Sequence, residues 1–398
     1  MTTAVKFLNG LDTIGGNVVS FTADNTRLIM DLGMNFAPEK SAAELLAEGA
    51  LPNLPTLFTD ATSELTDVVF VSHLHLDHMG AFKHLTKPTH VYMSPASNQL
   101  YRSLQKLGVE AAEHVILHDI LPEQPLAFGP FTVTAYLSDH DAPGAYMFLV
   151  NDGVHEFAYS GDVRLDGPHP ERVTHWAEVL RQHDLELFMI EGTEFSFERD
   201  EQRVRATEMS LQTKFSEQLM TSQLVVINPY DRNIERLAAL IETANQQNRQ
   251  LIWDHRFATI LRDMGMTQVL ELDVDVDLAT INAQPGAYVL QNHFDNLTVL
   301  DAISADFSYL HMNGEPLGDY DPRYQQLLDY LTDRGITMQV MGASGHAQPA
   351  DLVALAQQVN AKVTVPWHSF KPVVEADALA AVGLSVYLPQ KNEVLTFD

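Results

Sequence analysis

Six consecutive residues, His73-Leu74-His75-Leu76-Asp77-His78, place four metal-binding side chains on one short stretch of chain. They follow directly on Asp67-Val68-Val69-Phe70-Val71, an apolar run that reads as a strand. Alternation along an extended segment points His73 and His75 to one side, where both reach the same cation, and the turn after them swings Asp77 and His78 toward a second. Leu74 and Leu76 are expected to face the core and stiffen the loop. Two other strand-like runs end in the same manner, Arg27–Met30 before Asp31 and His155–Tyr159 before Ser160-Gly161-Asp162. A fold that satisfies all three must gather strand ends at one edge and build a chelating site on the loops there. His140, in Ser138-Asp139-His140-Asp141, can complete the first cation's ligands, and the Asp162 carboxylate can bridge both cations.

The chain contains no cysteine, so disulfides, zinc–thiolate sites and thiol nucleophiles are excluded and His and carboxylates are the strong ligands left. A hydrophobic fraction of 45% with 19% charged residues belongs to a soluble globular protein. No apolar run reaches membrane-spanning length, and the N-terminal residues lack the layout of a signal peptide, so a cytoplasmic location without membrane association is expected. The formal charge of −29 argues against binding a polyanion through the general surface field. A nucleic-acid substrate would then need a local cationic strip, supplied in part by metal ions.

A length of 398 residues suggests two domains. From about residue 196 the pattern changes to longer βα units: a helix near Glu201–Leu219, a buried strand Leu224–Ile227, a helix from Asn233 to Gln246 and a strand Leu251–Trp253. Tyr288–Leu290 and Phe307–Leu310 read as two further strands of a parallel sheet. The helix Arg323–Asp333, the strand Thr337–Met341, the helix Pro349–Val359 and the strand Lys362–Val365 then lead back to His-bearing loops. An insertion accounts for chemistry at both ends of the sequence, which divides the chain into 1–195, an inserted 196–340 and a return over 341–398. His84, His90, His114 and His118 lack a chelating partner at useful spacing and read as ordinary surface or core-edge histidines. The acidic run Glu271–Asp277 alternates with period two and reads as an amphipathic strand or loop.

The succession Asp31, His73/His75/Asp77/His78, His140, Asp162 resembles the four motifs of the metallo-β-lactamase superfamily. Glu191-Gly192-Thr193, Ser344-Gly345-His346-Ala347 and Pro366-Trp367-His368-Ser369 resemble the three additional motifs of its β-CASP branch, and within it the RNase J group. The resemblance implies an α/β fold, an αββα sandwich carrying an inserted α/β domain of the β-CASP type, in a short form without the C-terminal domain of long members. It implies His73, His75 and His140 on one metal, Asp77, His78 and His368 on the other, and Asp162 between them. The metals would be two zinc ions, although an all-nitrogen-and-oxygen site also accommodates manganese.

Asp31 would hold a ligand in place from outside and, with Asp77, Glu191 and His346, forms the expected catalytic set. His346 would lie near the scissile phosphate, with Glu191 orienting it or His368. Ser344, Gly345 and Ala347 are expected to approach the substrate, and Arg232, Asn233 and Arg236, at a helix start, to contact phosphates. The implied activity is RNA phosphodiester hydrolysis by a hydroxide bridging the metals, with RNA as partner and a homodimer compatible with the pattern.

Gly342-Ala343 stands where RNase J enzymes carry a further His. Gln291-Asn292-His293-Phe294-Asp295 stands in the place of their Gly-Ser-Gln-Gly-Glu segment. Two rival readings follow: a two-metal hydrolase of a small ester, thioester or phosphodiester, and a non-catalytic nucleic-acid-binding or partner subunit.

Overall fold

A computed structural model describes residues 2–35, 40–111, 113–198, 205–318 and 320–398. The chain divides into two compact units, Met1–Glu201 with Gly345–Asp398, and Gln202–Ser344. The first unit begins with β1 (Thr3–Asn9), β2 (Val18–Ala23), β3 (Thr26–Met30), β4 (Thr66–Phe70), β5 (Thr89–Met93) and β6 (Val115–Asp119), adjacent in that order in one sheet. The pairs β1–β2 and β2–β3 are antiparallel, and β3 through β6 run parallel. A second sheet is made by β7 (Leu126–Phe128), β8 (Phe131–Leu137), β9 (Tyr146–Asn151), β10 (Glu156–Tyr159) and β11 (Leu185–Glu191).

The second unit contributes β12 (Leu224–Pro229), β13 (Gln250–Trp253), β14 (Leu270–Glu271), β15 (Tyr288–Gln291), β16 (Phe307–Met312) and β17 (Met338–Val340). These form a parallel sheet in the order β14-β13-β15-β12-β16-β17. The chain then returns to the first unit with β18 (Val363–Trp367), parallel to β11, and β19 (Val394–Phe397), antiparallel to β1.

The period-two pattern explains the first unit. Val5, Phe7, Val19, Phe21, Leu28, Met30, Val68 and Phe70 of the first sheet meet Val133, Phe148, Val150, Phe157, Tyr159, Leu187, Met189 and Trp367 of the second in one buried layer. The opposite face of the second sheet, with Met147, Ala158, Phe188 and Ile190, is closed by the helices Pro170–Leu180 and Pro349–Val359. In the first of these helices Val173, Trp176, Ala177 and Leu180 repeat at three- and four-residue steps, so one stripe is buried. Each such large side chain contributes about 1.5–3 kcal/mol by leaving water. Helix Pro95–Lys106, capped by Ser94, packs by β6 and buries Leu100, Tyr101 and Leu104. Among the described residues no helix is long and apolar enough to cross a membrane.

Several local expectations change. Leu74 is fully buried, but Leu76 opens the short helix Leu76–Met79 and is 46% exposed, because the strand alternation ends one residue earlier. The helix placed near Glu201–Leu219 spans Glu208–Thr221 where it is described, its start set by Thr207 accepting from the Ser210 amide. Glu271–Asp277 agrees with its strand-or-loop reading, being a strand end followed by a turn, with Asp277 capping helix Leu278–Ala283. His90 and His118 are partners across neighbouring strands, with Nδ1 of one 2.8 Å from Nε2 of the other. Cross-strand neighbours of this kind leave no trace in sequence spacing.

Candidate metal centre

In the first unit β3, β4, β10, β11 and β18 all end at polar residues, and the mutually parallel β10, β11 and β18 bring Tyr159, Glu191 and Trp367 to one edge. Two of the following residues, Asp31 (φ 56°) and His368 (φ 56°), take the left-handed conformation. This turns the chain sharply off the strand end, at a cost that non-glycine residues accept mainly at functional sites. Gly161, also left-handed, lies so close to Ser72 and to the Tyr146 carbonyl that a Cβ there would sit 2.8–2.9 Å from them.

These turns gather two sets of donor atoms. His73, His75, His140 and Asp162 form one, and Asp77, His78, Asp162 and His368 form the other, with all donors in each set within 4.8 Å of one another. Asp162 Oδ2 lies 3.6 Å from His73 Nε2, 3.2 Å from His78 Nε2 and 3.8 Å from His140 Nε2. Donors bonded to a zinc ion at about 2.0–2.1 Å in a tetrahedron stand about 3.3 Å apart, so these spacings fit a shared cation. His73 Nε2 and both oxygens of Asp162 are buried and make no hydrogen bond of acceptable geometry, a costly state for a carboxylate unless a cation completes it. The residues present therefore suit a divalent metal.

The outer nitrogens of the histidines are held. Asp31, fully buried, accepts from His78 Nδ1 at 2.7 Å, from Tyr159 Oη at 2.7 Å, and from the Ser72 hydroxyl and amide at 2.8 and 2.7 Å. His140 Nδ1 donates to the Gly345 carbonyl at 2.5 Å, and Thr193 Oγ1 lies 2.9 Å from His368 Nδ1. His368 Nε2 sits 2.9 Å from Asp77 Oδ2. The bonds to His78 Nδ1 and His140 Nδ1 select the tautomer and aim the other nitrogen into the donor set.

The electrostatics separate the two sets. Burial pulls His73 well below the usual histidine range, helped by His78, His140 and His75, and it also lowers His75 and brings His140 to about 4. These three are neutral imidazoles, the form that binds metal. In the second set burial opposes charge, but Asp162, Asp77 and Asp31 hold His78 well above its ordinary value, and Asp162 with Asp77 raises His368 to about 9. His368 and His78 in turn lower Asp162 well below the carboxylate range, against the opposing effect of burial. Protons here balance carboxylate charge that a divalent cation would otherwise balance.

His346 stands beside both sets. Its Nδ1 is 3.1 Å from Glu191 Oε1, and Glu191 also accepts from the Val163 and Thr193 amides. Burial alone would lower His346, yet Glu191 outweighs it and pushes the value up to about 10. Gly345 is close-packed: a Cβ there would lie 2.3 Å from Asp141 Oδ1.

Not every expected site residue reaches this centre. Ala347 is buried in the helix-side core and its amide donates to the Val163 carbonyl at 2.6 Å, so it offers nothing to a phosphate. In the second unit Arg232, Asn233 and Arg236 are each 2% exposed. Asn233 caps helix Ile234–Gln246 by accepting from the Arg236 amide, and Arg236 is bound to Glu208 and to the Met312 and Ala343 carbonyls. The expected phosphate contacts of Asn233 and Arg236 are corrected to internal roles, because buried charge demands internal partners, and Arg232 is buried beside them. Ser344 is half-buried at the end of that unit. Sequence reading missed Asp141, whose Oδ1 is 3.4 Å from His75 Nε2 and 3.2 Å from His140 Nε2, although its place next to His140 was a usable signal. It also missed Asn17, 2.9 Å from His78 Nε2, for which no sequence signal exists.

Residues 30–219 match the model of the beta-lactamase superfamily domain, a span holding the His-rich loop, His140, Asp162 and Glu191. That match, over 190 of the 398 residues, supports a metallo-β-lactamase-like protein. The chain is similar to Ribonuclease J of Mycolicibacterium smegmatis, 24% identical over 98% of this chain and 73% of that protein. It is also similar to Ribonuclease J of Mycoplasma genitalium, 20% identical over 92% of this chain and 68% of that one. A crystal structure of a protein of unknown function from Enterococcus faecalis V583 shares the fold over the whole of both chains, with a TM-score of 0.86 and 24% identity. These similarities support a metallo-β-lactamase-type fold and a metal-dependent hydrolase.

Proposed function

We propose that this protein is a two-metal ribonuclease that hydrolyses RNA phosphodiester bonds, its inserted unit being a β-CASP-type domain. The observation that carries the reading is the pair of donor sets sharing Asp162, with His346 held by Glu191 at their margin. His73, His75, His140 and Asp162 would hold one ion, and Asp77, His78, His368 and Asp162 the other. Zinc or manganese bound there would supply Lewis acidity and a nucleophilic water available near neutral pH.

The chain's own groups do the rest. Asp31, through Ser72, Tyr159 and His78 Nδ1, keeps the donor array rigid, so no reorganisation is needed at the reacting centre. Glu191 keeps the imidazole of His346 protonated at neutral pH. His346 can then donate a proton to the departing alkoxide oxygen or stabilise charge on the phosphoryl group. Similarity to Ribonuclease J over nearly the whole chain supports RNA as substrate.

The test is hydrolysis of 5′-monophosphorylated RNA beside a generic small phosphodiester, in zinc and in manganese. RNA cleavage that disappears with chelator and returns with metal is the expected outcome. A small diester cleaved while RNA is left intact would reject the ribonuclease reading. That outcome belongs to a second reading, a small-substrate metallohydrolase. It is favoured by the burial of Arg232, the internal roles of Asn233 and Arg236 and the net charge of −29.

A further inference from the structure

His368 leads straight into Ser369-Phe370-Lys371. His368 and Ser369 are fully buried, yet Phe370 is 57% exposed, and Phe197, also an aromatic at a turn, is 56% exposed. A serine clip ties the chain segments that carry them. The Phe370 amide donates to Ser196 Oγ at 2.9 Å, Ser196 Oγ and Ser369 Oγ are 3.0 Å apart, and the Lys371 amide donates to Ser369 Oγ at 3.1 Å. The clip fixes the backbones that carry both rings while leaving the rings in water. Because only one residue separates Phe370 from His368, their Cα atoms are no more than about 7 Å apart. Large apolar side chains exposed in this way beside a reacting centre are informative, since phenylalanine is ordinarily buried. Lys371 is exposed too, and among the described residues no carboxylate lies at ion-pair distance from its ammonium. In a chain with 53 acidic and 24 basic residues, a lysine without a carboxylate partner among the described residues, adjoining an exposed ring, is an uncommon local environment.

We propose that Phe370 and Phe197 form a stacking subsite for a nucleobase next to the scissile phosphate, and that Lys371 binds the adjoining phosphate. The proposal rests on the ribonuclease reading above and specifies how single-stranded RNA is held. A base offers every sequence the same π face, so a ring of this kind grips RNA without choosing sequence. A single lysine beside it supplies one of the few cationic contacts the acidic surface allows. A protein docking face extending over the exposed Val373 and Val374 is the alternative, and Lys371 with its backbone clip to the His368 turn favours the nucleic acid.

The experiment uses a single-stranded oligoribonucleotide with phosphorothioate linkages and 2-aminopurine at successive positions, mixed with the full-length metal-loaded protein. Stacking quenches 2-aminopurine, so one or two positions should be quenched by the wild type and released in Phe370→Ala, with Phe370→Trp restoring the effect. Affinity for the oligonucleotide should fall about 5- to 100-fold in Phe370→Ala, and an abasic residue at the quenched position should remove the difference between wild type and variant. Lys371→Ala should instead lower the slope of log affinity against log salt by about 0.7. An oligonucleotide bound with no quenched position, or a Phe370→Ala protein whose oligomeric state changes while quenching persists, would overturn the stacking subsite. Quenching intact with no RNA cleavage under any metal would instead retire the ribonuclease reading and leave the subsite standing.

Discussion

Two sets of strand ends in this chain carry polar residues, and they use them in opposite ways. In the first unit the residues after β3, β4, β10 and β18 include buried histidines and aspartates whose inner atoms converge, and among them His73 Nε2 and both Asp162 oxygens make no hydrogen bond. In the second unit the turn after β12 holds Arg232, Asn233 and Arg236, equally buried, and the contacts of Asn233 and Arg236 are a helix cap, the Glu208 carboxylate and main-chain carbonyls. Both edges look alike in sequence. Arg232 Nε and Asn233 Nδ2 are also buried without a hydrogen bond, but they are donors, whereas the first unit gathers histidine and carboxylate lone pairs at one place, and burial makes an open lone pair costly unless a ligand fills it. A metal site is marked by lone pairs that converge without partners more than by polar composition.

The contrast is broken most severely by removing a shared donor. Asp162→Ala should lose bound metal and all hydrolytic activity together, as should His78→Ala, with metal content read by elemental analysis against close to two ions per chain in the wild type. Activity retained with metal absent would remove the first unit's claim to the chemistry. Next in size, His346→Ala should keep its metal while turnover falls by roughly two to four orders of magnitude, the scale of a lost general acid or charge-stabilising donor. A variant whose metal content falls in step with its turnover would instead make His346 a ligand.

The effects shrink further from the donors. Asp31→Asn keeps a hydrogen-bonding side chain but loses the charge that orients His78, and metal affinity or activity should drop about 10- to 100-fold. In the second unit, Arg236→Ala should change stability and leave the metal centre's turnover per folded molecule alone. Removing one partner of a buried pair costs about 3–5 kcal/mol, read as a lower denaturation midpoint. Lost RNA affinity in a fully folded Arg236→Ala protein would reverse the comparison.

The smallest effect concerns pH. Glu375 is buried against Gly192 without a hydrogen bond to either carboxyl oxygen, and burial, then the charge of Glu191, raises its pKa well above the usual value. The folded protein keeps this proton while the unfolded chain releases it near pH 4.5. Stability is therefore fully present below about 4.5 and falls as pH rises, by at most about 1.4 kcal/mol per unit until the folded pKa is reached. Glu375→Gln should remove that alkaline slope in denaturation curves measured from pH 5 to 8. Parallel curves for the two proteins would mean Glu375 is ionised in the native state.

Reading the sequence worked where a signal is local. Four donors in six residues after an apolar strand leave few other uses for that segment, and the period-two strands of the first unit are visible in Arg27–Met30 and His155–Tyr159 because alternate residues must meet the opposing sheet. Helix Pro349–Val359 is legible for a similar reason, its proline start and apolar spacing lying within one turn of each other. Reading failed where the decision depends on what folds over a residue. Leu76 follows the same alternation as Leu74 and still faces solvent, since a helix begins there. Arg236 has the composition of a phosphate contact, but Glu208, twenty-eight residues away, claims its guanidinium.

Chain order alone thus determined the chemistry on offer: nitrogen and oxygen donors without thiols, a strongly acidic surface, and strands that end at chelating residues. Tertiary structure decided which of those groups are left open. His368 and Asp77 are 291 residues apart and meet at 2.9 Å, Asn17 reaches His78, and Thr193 Oγ1 lies 2.9 Å from His368 Nδ1. None of these pairings has a sequence period, because sheet edges are assembled from parallel strands whose separation along the chain is set by the connections between them. Local pattern is written in the backbone's two repeats. Whether a buried polar atom is satisfied is a property of everything that packs around it.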